Sequence, residues 1–119
     1  MKKLIIVLVL VCFIGITNNK AQSLLWAKSI GTTGVDEGTS IAVDVLGNVY
    51  TTGFFIGTAD FDPGPGVFNM SSNTSTWYDV FVTKFDASGN FIWAKSVGGS
   101  LNDVPYSIVI DNSNNVLIT

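Results

Sequence analysis

The segment Val80-Phe81-Val82-Thr83-Lys84-Phe85-Asp86-Ala87-Ser88-Gly89-Asn90-Phe91-Ile92-Trp93-Ala94-Lys95-Ser96-Val97 reads as strand, turn, strand. Phe81, Thr83 and Phe85 alternate with Val80, Val82 and Lys84, which is the two-residue period of a pleated strand, and the β-branched and aromatic bias opposes a helix. Asp86 at the first position of a type I turn can accept hydrogen bonds from the backbone N–H groups that follow. Gly89 at the fourth position supplies the left-handed backbone that a hairpin with a G1 bulge requires.

The same turn occurs twice more, as Asp44-Val45-Leu46-Gly47-Asn48 and Asp111-Asn112-Ser113-Asn114-Asn115. In the last of these Asn114 stands where the others have glycine, and asparagine is the residue that enters the left-handed region most readily after glycine. The expectation is therefore three equivalent hairpin turns with Gly47, Gly89 and Asn114 at positive φ. The flanking strands fall at about residues 40–44, 48–55, 80–86 and 90–97. Both faces of these strands carry apolar or small residues, as a sheet covered on two sides does.

The turns belong to a longer repeat. Shifting the chain by 67 residues aligns Trp26-Ala27-Lys28-Ser29 with Trp93-Ala94-Lys95-Ser96, and the register runs without a gap from Leu25/Ile92 to Thr52/Thr119. Twelve of these 28 pairs are identical, against about two by chance, among them Gly31/Gly98, Asp36/Asp103, Ser40/Ser107, Ile41/Ile108 and Val49/Val116. Two hairpins per 67-residue period make four antiparallel strands, one blade of a β-propeller. A blade of the WD type takes about 40 to 45 residues, so the surplus is assigned to a loop over residues 56–79. Residues 107–119 supply only the first hairpin of a second blade, and residues 24–30 match a fourth strand without its first three. The expected architecture is all-β, about one and a half blades of an incomplete ring, whose isolated form would be marginal, partly open or self-associating.

The N-terminus reads as an address. Met1-Lys2-Lys3 precedes thirteen uncharged residues, Leu4 to Ile16, and then the polar run Thr17-Asn18-Asn19-Lys20, which is the layout of a secretory signal peptide cut after Ala21. Thirteen residues in a helix rise about 20 Å, short of the ~30 Å hydrocarbon core, so no permanent membrane span is expected once the signal is removed. Cys12 lies inside the apolar run behind Val11 and is read as an ordinary residue of the signal rather than a lipidated one. The domains are then residues 1–21, signal peptide, and 22–119, propeller repeats with the last one truncated.

Charge and composition narrow the function. Six Lys and Arg against nine Asp and Glu give a net charge of −3, and loss of Lys2, Lys3 and Lys20 with the signal leaves three lysines, so no basic footprint for nucleic acid exists. With no histidine and Cys12 as the single cysteine, Ser-His-Asp and Cys-His triads and Cys/His zinc sites are excluded.

Trp-Ala-Lys-Ser followed by glycine, Asp44-x-x-Gly-Asn with its strand, Gly57-Thr58-Ala59-Asp60-Phe61-Asp62-Pro63-Gly64 and Phe85-Asp86-Ala87-Ser88-Gly89-Asn90 together resemble the SBBP family of bacterial β-propeller repeats, over essentially all of residues 25–119. That resemblance implies secreted or surface-exposed proteins with many such repeats, and hence further blades in a full-length version.

Four groups of residues invite a chemical reading. Asp60 and Asp62 could begin a calcium loop, yet Pro63, Gly64, Pro65 and Gly66 follow where further ligands are needed, so a structural turn is expected. Asp36-Glu37 recurs only as Asp103, which fits a carboxylate capping backbone N–H groups better than an acid/base pair. Trp26 and Trp93 could stack on sugars, but recurrence at one place in each repeat points to packing between blades; Trp77-Tyr78 is the better candidate for an exposed contact. Lys28 and Lys95 suit the protection of an outer edge strand. No catalytic, cofactor-binding or metal-binding residue is assigned. The expected role is a non-catalytic extracellular scaffold or binding module for an unidentified protein or glycan, with a fragment of a secreted glycan-acting propeller enzyme, or a truncated gene product, as the alternatives.

Overall fold

The structure, a computed structural model, describes residues 24–119; the proposed signal peptide and its cleavage site lie outside the described residues. Eight strands follow in order: β1 (Asp36–Val43), β2 (Val49–Phe55), β3 (Thr58–Asp60), β4 (Asn69–Ser71), β5 (Asp79–Phe85), β6 (Phe91–Val97), β7 (Ile108–Ile110) and β8 (Val116–Ile118). Among the described residues there is no helix. The four long strands form one antiparallel sheet in the order β1-β2-β5-β6, and this is the blade. Two-residue alternation places Ile41, Val49, Thr51, Phe81, Thr83 and Phe85 on one face, called face A here. Ala42, Tyr50, Thr52, Val82, Lys84 and Trp93 lie on the other, face B.

All three predicted turns form. Each is closed by the same bonds: the backbone N–H of Gly47, Gly89 or Asn114 donates to the carbonyl of Asp44, Asp86 or Asp111 at 2.9–3.0 Å. The predicted positive φ is present at all three, +82° at Gly47, +81° at Gly89 and +62° at Asn114.

Three boundaries differ from the sequence reading. Strand β1 starts at Asp36 rather than residue 40, because the register shift between Gly38 and Ser40 lets the chain bulge and go on pairing, Asp36 with Phe55 and Ser40 with Thr52. Opposite the bulge, Gly53 has no room for a side chain: a Cβ there would strike the Glu37 carbonyl oxygen and stand 2.8 Å from the Phe81 ring.

The segment 56–79 is not a plain loop. It folds into the β3–β4 hairpin, with Thr58 opposite Ser71 and Asp60 opposite Asn69. This hairpin carries Ala59 and Phe61 into the face A core with Phe55, Phe81 and Ala94, where Phe61 lies edge-on to Phe55 at 5.1 Å and 5.3 Å from Phe81. Residues 24–30, expected as a strand, are not one. No described strand lies beside them to supply a ladder, and a single bridge between Gly31 and Asp60 holds their end.

Face B is covered by the hairpin β7–β8. Ile108, 4% exposed, packs on Tyr50 and Val82, with Ala42, Trp93, Ile110 and Val116 around them. The Ile108 N–H donates to Ser40 Oγ at 3.3 Å, a hydrogen bond between two copies of the repeat.

Candidate functional site

The carboxylates are the groups with most chemical potential, and almost all are occupied by the backbone around them. In each hairpin turn one aspartate oxygen accepts from two backbone N–H groups: Leu46 and Asn48 for Asp44, Ser88 and Asn90 for Asp86, Ser113 and Asn115 for Asp111, at 2.8–2.9 Å. The other oxygen takes the amide of the following asparagine at 2.7–2.8 Å. Bonds that favour the charged form lower a carboxyl pKa. Asp86 and Asp111 are held below the ordinary carboxylate value of 3.8, chiefly by the side chains and backbones of Asn90 and Asn115. At Asp44 desolvation is the largest single influence and pulls upward, but Asn48, Leu46 and Tyr50 together outweigh it and the pKa is again lowered.

Asp36 and Asp103 do the same work at equivalent positions. The Asp36 carboxylate takes the Thr32 N–H at 2.6 Å and the Thr32 hydroxyl at 3.0 Å, and Asp103 takes the Gly99 N–H at 2.7 Å. Thr32 and Gly99 are themselves 67 residues apart. Asp60 accepts from the N–H groups of Asp62 and Phe68 at 3.0 and 2.8 Å, and Asp62 accepts from Gly64 at 2.8 Å, so this pair folds its own loop. Among the described residues no group of three or more acidic or other metal-ligating side chains converges. Glu37, next to Asp36, stands on an exposed stretch of β1.

The tryptophans separate by role. Trp26 crosses face A, its ring 6.2 Å from Phe85 and its indole N–H donating to the Ala87 carbonyl at 3.2 Å, while Gly89 lies directly beneath it. Trp93 lies on face B, edge-on to Tyr50 at 6.2 Å and beside the β7–β8 hairpin. Trp93 therefore lies in the seam between the blade and the next repeat's hairpin, whereas Trp26 packs on face A from the unpaired segment 24–30. Trp77 keeps 39% of its surface exposed. Tyr78 is tied down, 4.8 Å from Phe54, with its N–H on Asn102 and its carbonyl taking the Asp103 N–H. Lys95 sits on the sheet edge with its ammonium 6.0 Å from the Trp93 ring, whereas Lys28 belongs to the unpaired segment rather than to an edge strand.

Sequence reasoning missed two features: the buried Asp79, whose Oδ2 accepts from the Asn73 N–H at 2.7 Å while its Oδ1 has no partner, and a cleft of about 310 Å³ between residues 26–30 and face A, lined by Trp26, Ile41, Val49, Thr51, Thr83 and Phe85 among others. Thr83 Oγ1 is buried there and has no hydrogen-bond partner. Alternation along β1 and β5 gave each strand its two faces, but only the register from Ile41 through Thr51 to Thr83 puts Ile41 and Thr83 on the same one.

The blade, its Asp-opened turns and the match of one repeat's hairpin to the next are those of a β-propeller repeat. Residues 25–53 match the family described as the SBBP beta-propeller repeat. Residues 25–53 therefore carry an SBBP-type β-propeller repeat. The chain is also similar to an uncharacterized WD repeat-containing protein of Acanthamoeba polyphaga mimivirus, 29% identical over 88% of this chain and 8% of that protein. It is similar as well to the regulatory protein FlaEY of Caulobacter vibrioides (strain ATCC 19089 / CIP 103742 / CB 15), 33% identical over 83% of this chain and 10% of that protein. The chain thus spans about a tenth or less of the length of these relatives, which are repeat or regulatory proteins by name. No solved structure gives a significant match.

Proposed function

We propose that residues 1–21 direct export and that residues 22–119 serve at the cell exterior as a non-catalytic scaffold or binding module, whose partner is an extracellular protein or glycan. The observation that carries the non-catalytic part is the commitment of the carboxylates: Asp36, Asp44, Asp60, Asp62, Asp86, Asp103 and Asp111 each accept hydrogen bonds from N–H groups within eight residues of themselves. General acid/base catalysis needs a carboxyl group free to exchange a proton with a substrate atom within hydrogen-bond reach. A carboxylate that closes a turn is engaged already.

Export rests on the basic start, the apolar run and Ala21. N-terminal mass spectrometry of material recovered from the culture medium should find Gln22 as the first residue. Recovery of the chain with Leu4 to Ile16 intact in a membrane fraction would replace export with anchoring. Incubation with a panel of extracellular polysaccharides should leave them uncut; turnover abolished by Asp62→Asn in a chain of unchanged circular dichroism would favour the enzyme instead.

A further inference from the structure

The segment 72–78, which leads from β4 into β5, is tied down on both sides of Trp77. Ser72 donates its N–H to the Gly57 carbonyl at 2.9 Å and its hydroxyl to the Thr74 carbonyl at 2.6 Å. Asn73 donates its backbone N–H to Asp79 Oδ2 at 2.7 Å and its side-chain amide to the Gly99 carbonyl at 2.8 Å. Beyond the tryptophan, the Tyr78 N–H donates to Asn102 Oδ1 at 3.0 Å, the Tyr78 carbonyl takes the Asp103 N–H at 2.9 Å, and the ring lies 4.8 Å from Phe54. Asp79 is 4% exposed, and a carboxylate is costly to bury; the hydrogen bond it accepts goes to this segment. Gly98 makes room for it, since a Cβ there would strike the Asp79 carboxylate.

The side chain held in this frame is open. Trp77 is 39% exposed, its N–H is fixed on Thr74 Oγ1 at 2.9 Å, and no other aromatic ring among the described residues is paired with it. Its exposure is that of a loop at the strand ends, which blades set against faces A and B leave open. Both flanks of that loop, Gly57 on one side and Gly99 to Asp103 on the other, are described residues. A loop so constrained has already given up the conformational freedom that binding otherwise takes, so a ligand meets a fixed surface. We propose that Trp77 is the stacking platform of a saccharide site whose ligand is a neutral β-linked glycan.

Chemistry selects that ligand. A pyranose with equatorial substituents presents a flat face of C–H groups, the partner that the negative face of an indole ring favours. Within the segment the residues exposed with Trp77 are Asn73, Ser75 and Thr76, and Asn102 stands at the Tyr78 end, so amides and hydroxyls are at hand to exchange hydrogen bonds with sugar hydroxyls. A protein hot spot sits instead at the centre of a larger packed patch that excludes water. The chain carries nine Asp and Glu against six Lys and Arg, an excess that repels anionic polysaccharides and leaves the neutral ones. The inference rests on the reading of residues 22–119 as an exported binding module and narrows its partner.

Affinity electrophoresis of the full chain in native gels tests it, with a mixed-linkage β-glucan, a glucomannan or glycol chitin in the gel and pectate as the anionic control. At least one neutral gel should retard the chain, and pectate should not. Trp77→Ala should raise the dissociation constant about tenfold, and Trp77→Phe, which keeps a smaller ring, should raise it by less. Asn73→Ala leaves Trp77 in place but frees its loop from the Gly99 carbonyl, and should weaken binding severalfold. Circular dichroism checks each variant; where Trp77→Ala loses the native spectrum, Trp77→Phe decides. Retardation that the tryptophan variants leave unchanged would put glycan binding elsewhere and overturn the proposal, as would retardation by pectate alone. Failure of every neutral gel to retard the unaltered chain would overturn it too, whereas the reading of an exported, non-catalytic module falls only with the N-terminal and polysaccharide-cleavage results described above.

Discussion

Gly47 and Gly89 occupy the same place in equivalent turns, at φ of +82° and +81°, but their surroundings differ in one respect. A Cβ on Gly47 would meet only the Ala87 methyl at 3.1 Å, whereas a Cβ on Gly89 would stand 2.7 Å from the ring of Trp26. An alanine forced into the left-handed region costs roughly 1–2 kcal/mol at either site. At Gly89 the indole must also leave its seat on Phe85, and an aromatic contact of this kind is worth about 0.5–1.5 kcal/mol. Gly89→Ala should therefore cost about 1 kcal/mol more than Gly47→Ala, which in a domain of this size corresponds to a further fall of about 4–8 °C in Tm. Thermal unfolding followed by circular dichroism measures both, and the Gly89→Ala spectrum should also show Trp26 emission shifted to the red as the ring enters water. The decisive step is to repeat the pair in a Trp26→Ala background. There the two costs should become equal, since the difference is a coupling between residues 26 and 89. Equal costs in the unaltered background, or a difference that survives the loss of Trp26, would refute the placement of this residue across face A.

Three further outcomes are expected. The folded-state pKa values of Asp44, Asp86 and Asp111 lie below the unfolded value of 3.8, so the stability they contribute is complete above that pH and lost as pH falls through the folded values; the acid slope of Tm should flatten when all three are changed to Asn, and an unchanged slope would contradict their role. Phe61→Ala, which empties the 1%-exposed centre of the face A core, should destabilise by about 3–5 kcal/mol in urea titration, and a cost near that of a surface change would mean that the β3–β4 hairpin does not pack there. Calorimetry with Ca²⁺ should give no binding heat; tight binding lost on Asp60→Ala with Asp62→Ala would reassign that loop from a hydrogen-bonded turn to a metal site.

What could be read from the sequence was whatever closes on itself within a few residues. An Asp-opened turn has its acceptor, its donors and its positive-φ residue inside one five-residue stretch, so Asp86 to Asn90 announces its geometry wherever it is placed. The recurrence of Asp36 as Asp103 gave the capping role for the same reason, four residues separating acceptor from donor. The 67-residue spacing of Trp26 and Trp93 pointed to packing for both, and both do pack on the sheet, but only Trp93 does so between the blade and the next hairpin. The β3–β4 hairpin was hidden because its alternation, Ala59 with Phe61 and Phe68 with Met70, lasts for only two apolar residues on each side of a run of glycines and prolines. The start of β1 was hidden because Asp36-Glu37-Gly38-Thr39 looks like a loop, and only its partner across the bulge makes it a strand. Residues 24–30 have strand-like composition, but a strand needs a neighbour to bond with, and that depends on the rest of the assembly.

The β3–β4 hairpin bears on how quickly the blade is assembled. Strands β2 and β5 are neighbours in the sheet, yet the chain between them runs from Ile56 to Tyr78, and bringing such distant ends together is the slow, entropically opposed step in forming a sheet. Once Thr58 faces Ser71, the span left to close shrinks to two short links, residues 56–57 and 72–78. The inserted segment thus works as its own splint. Lengthening the tip between Phe61 and Phe68 should hardly slow refolding, whereas breaking the Thr58–Ser71 pairing should expose the full length of the insertion to the search and slow the docking of β2 on β5.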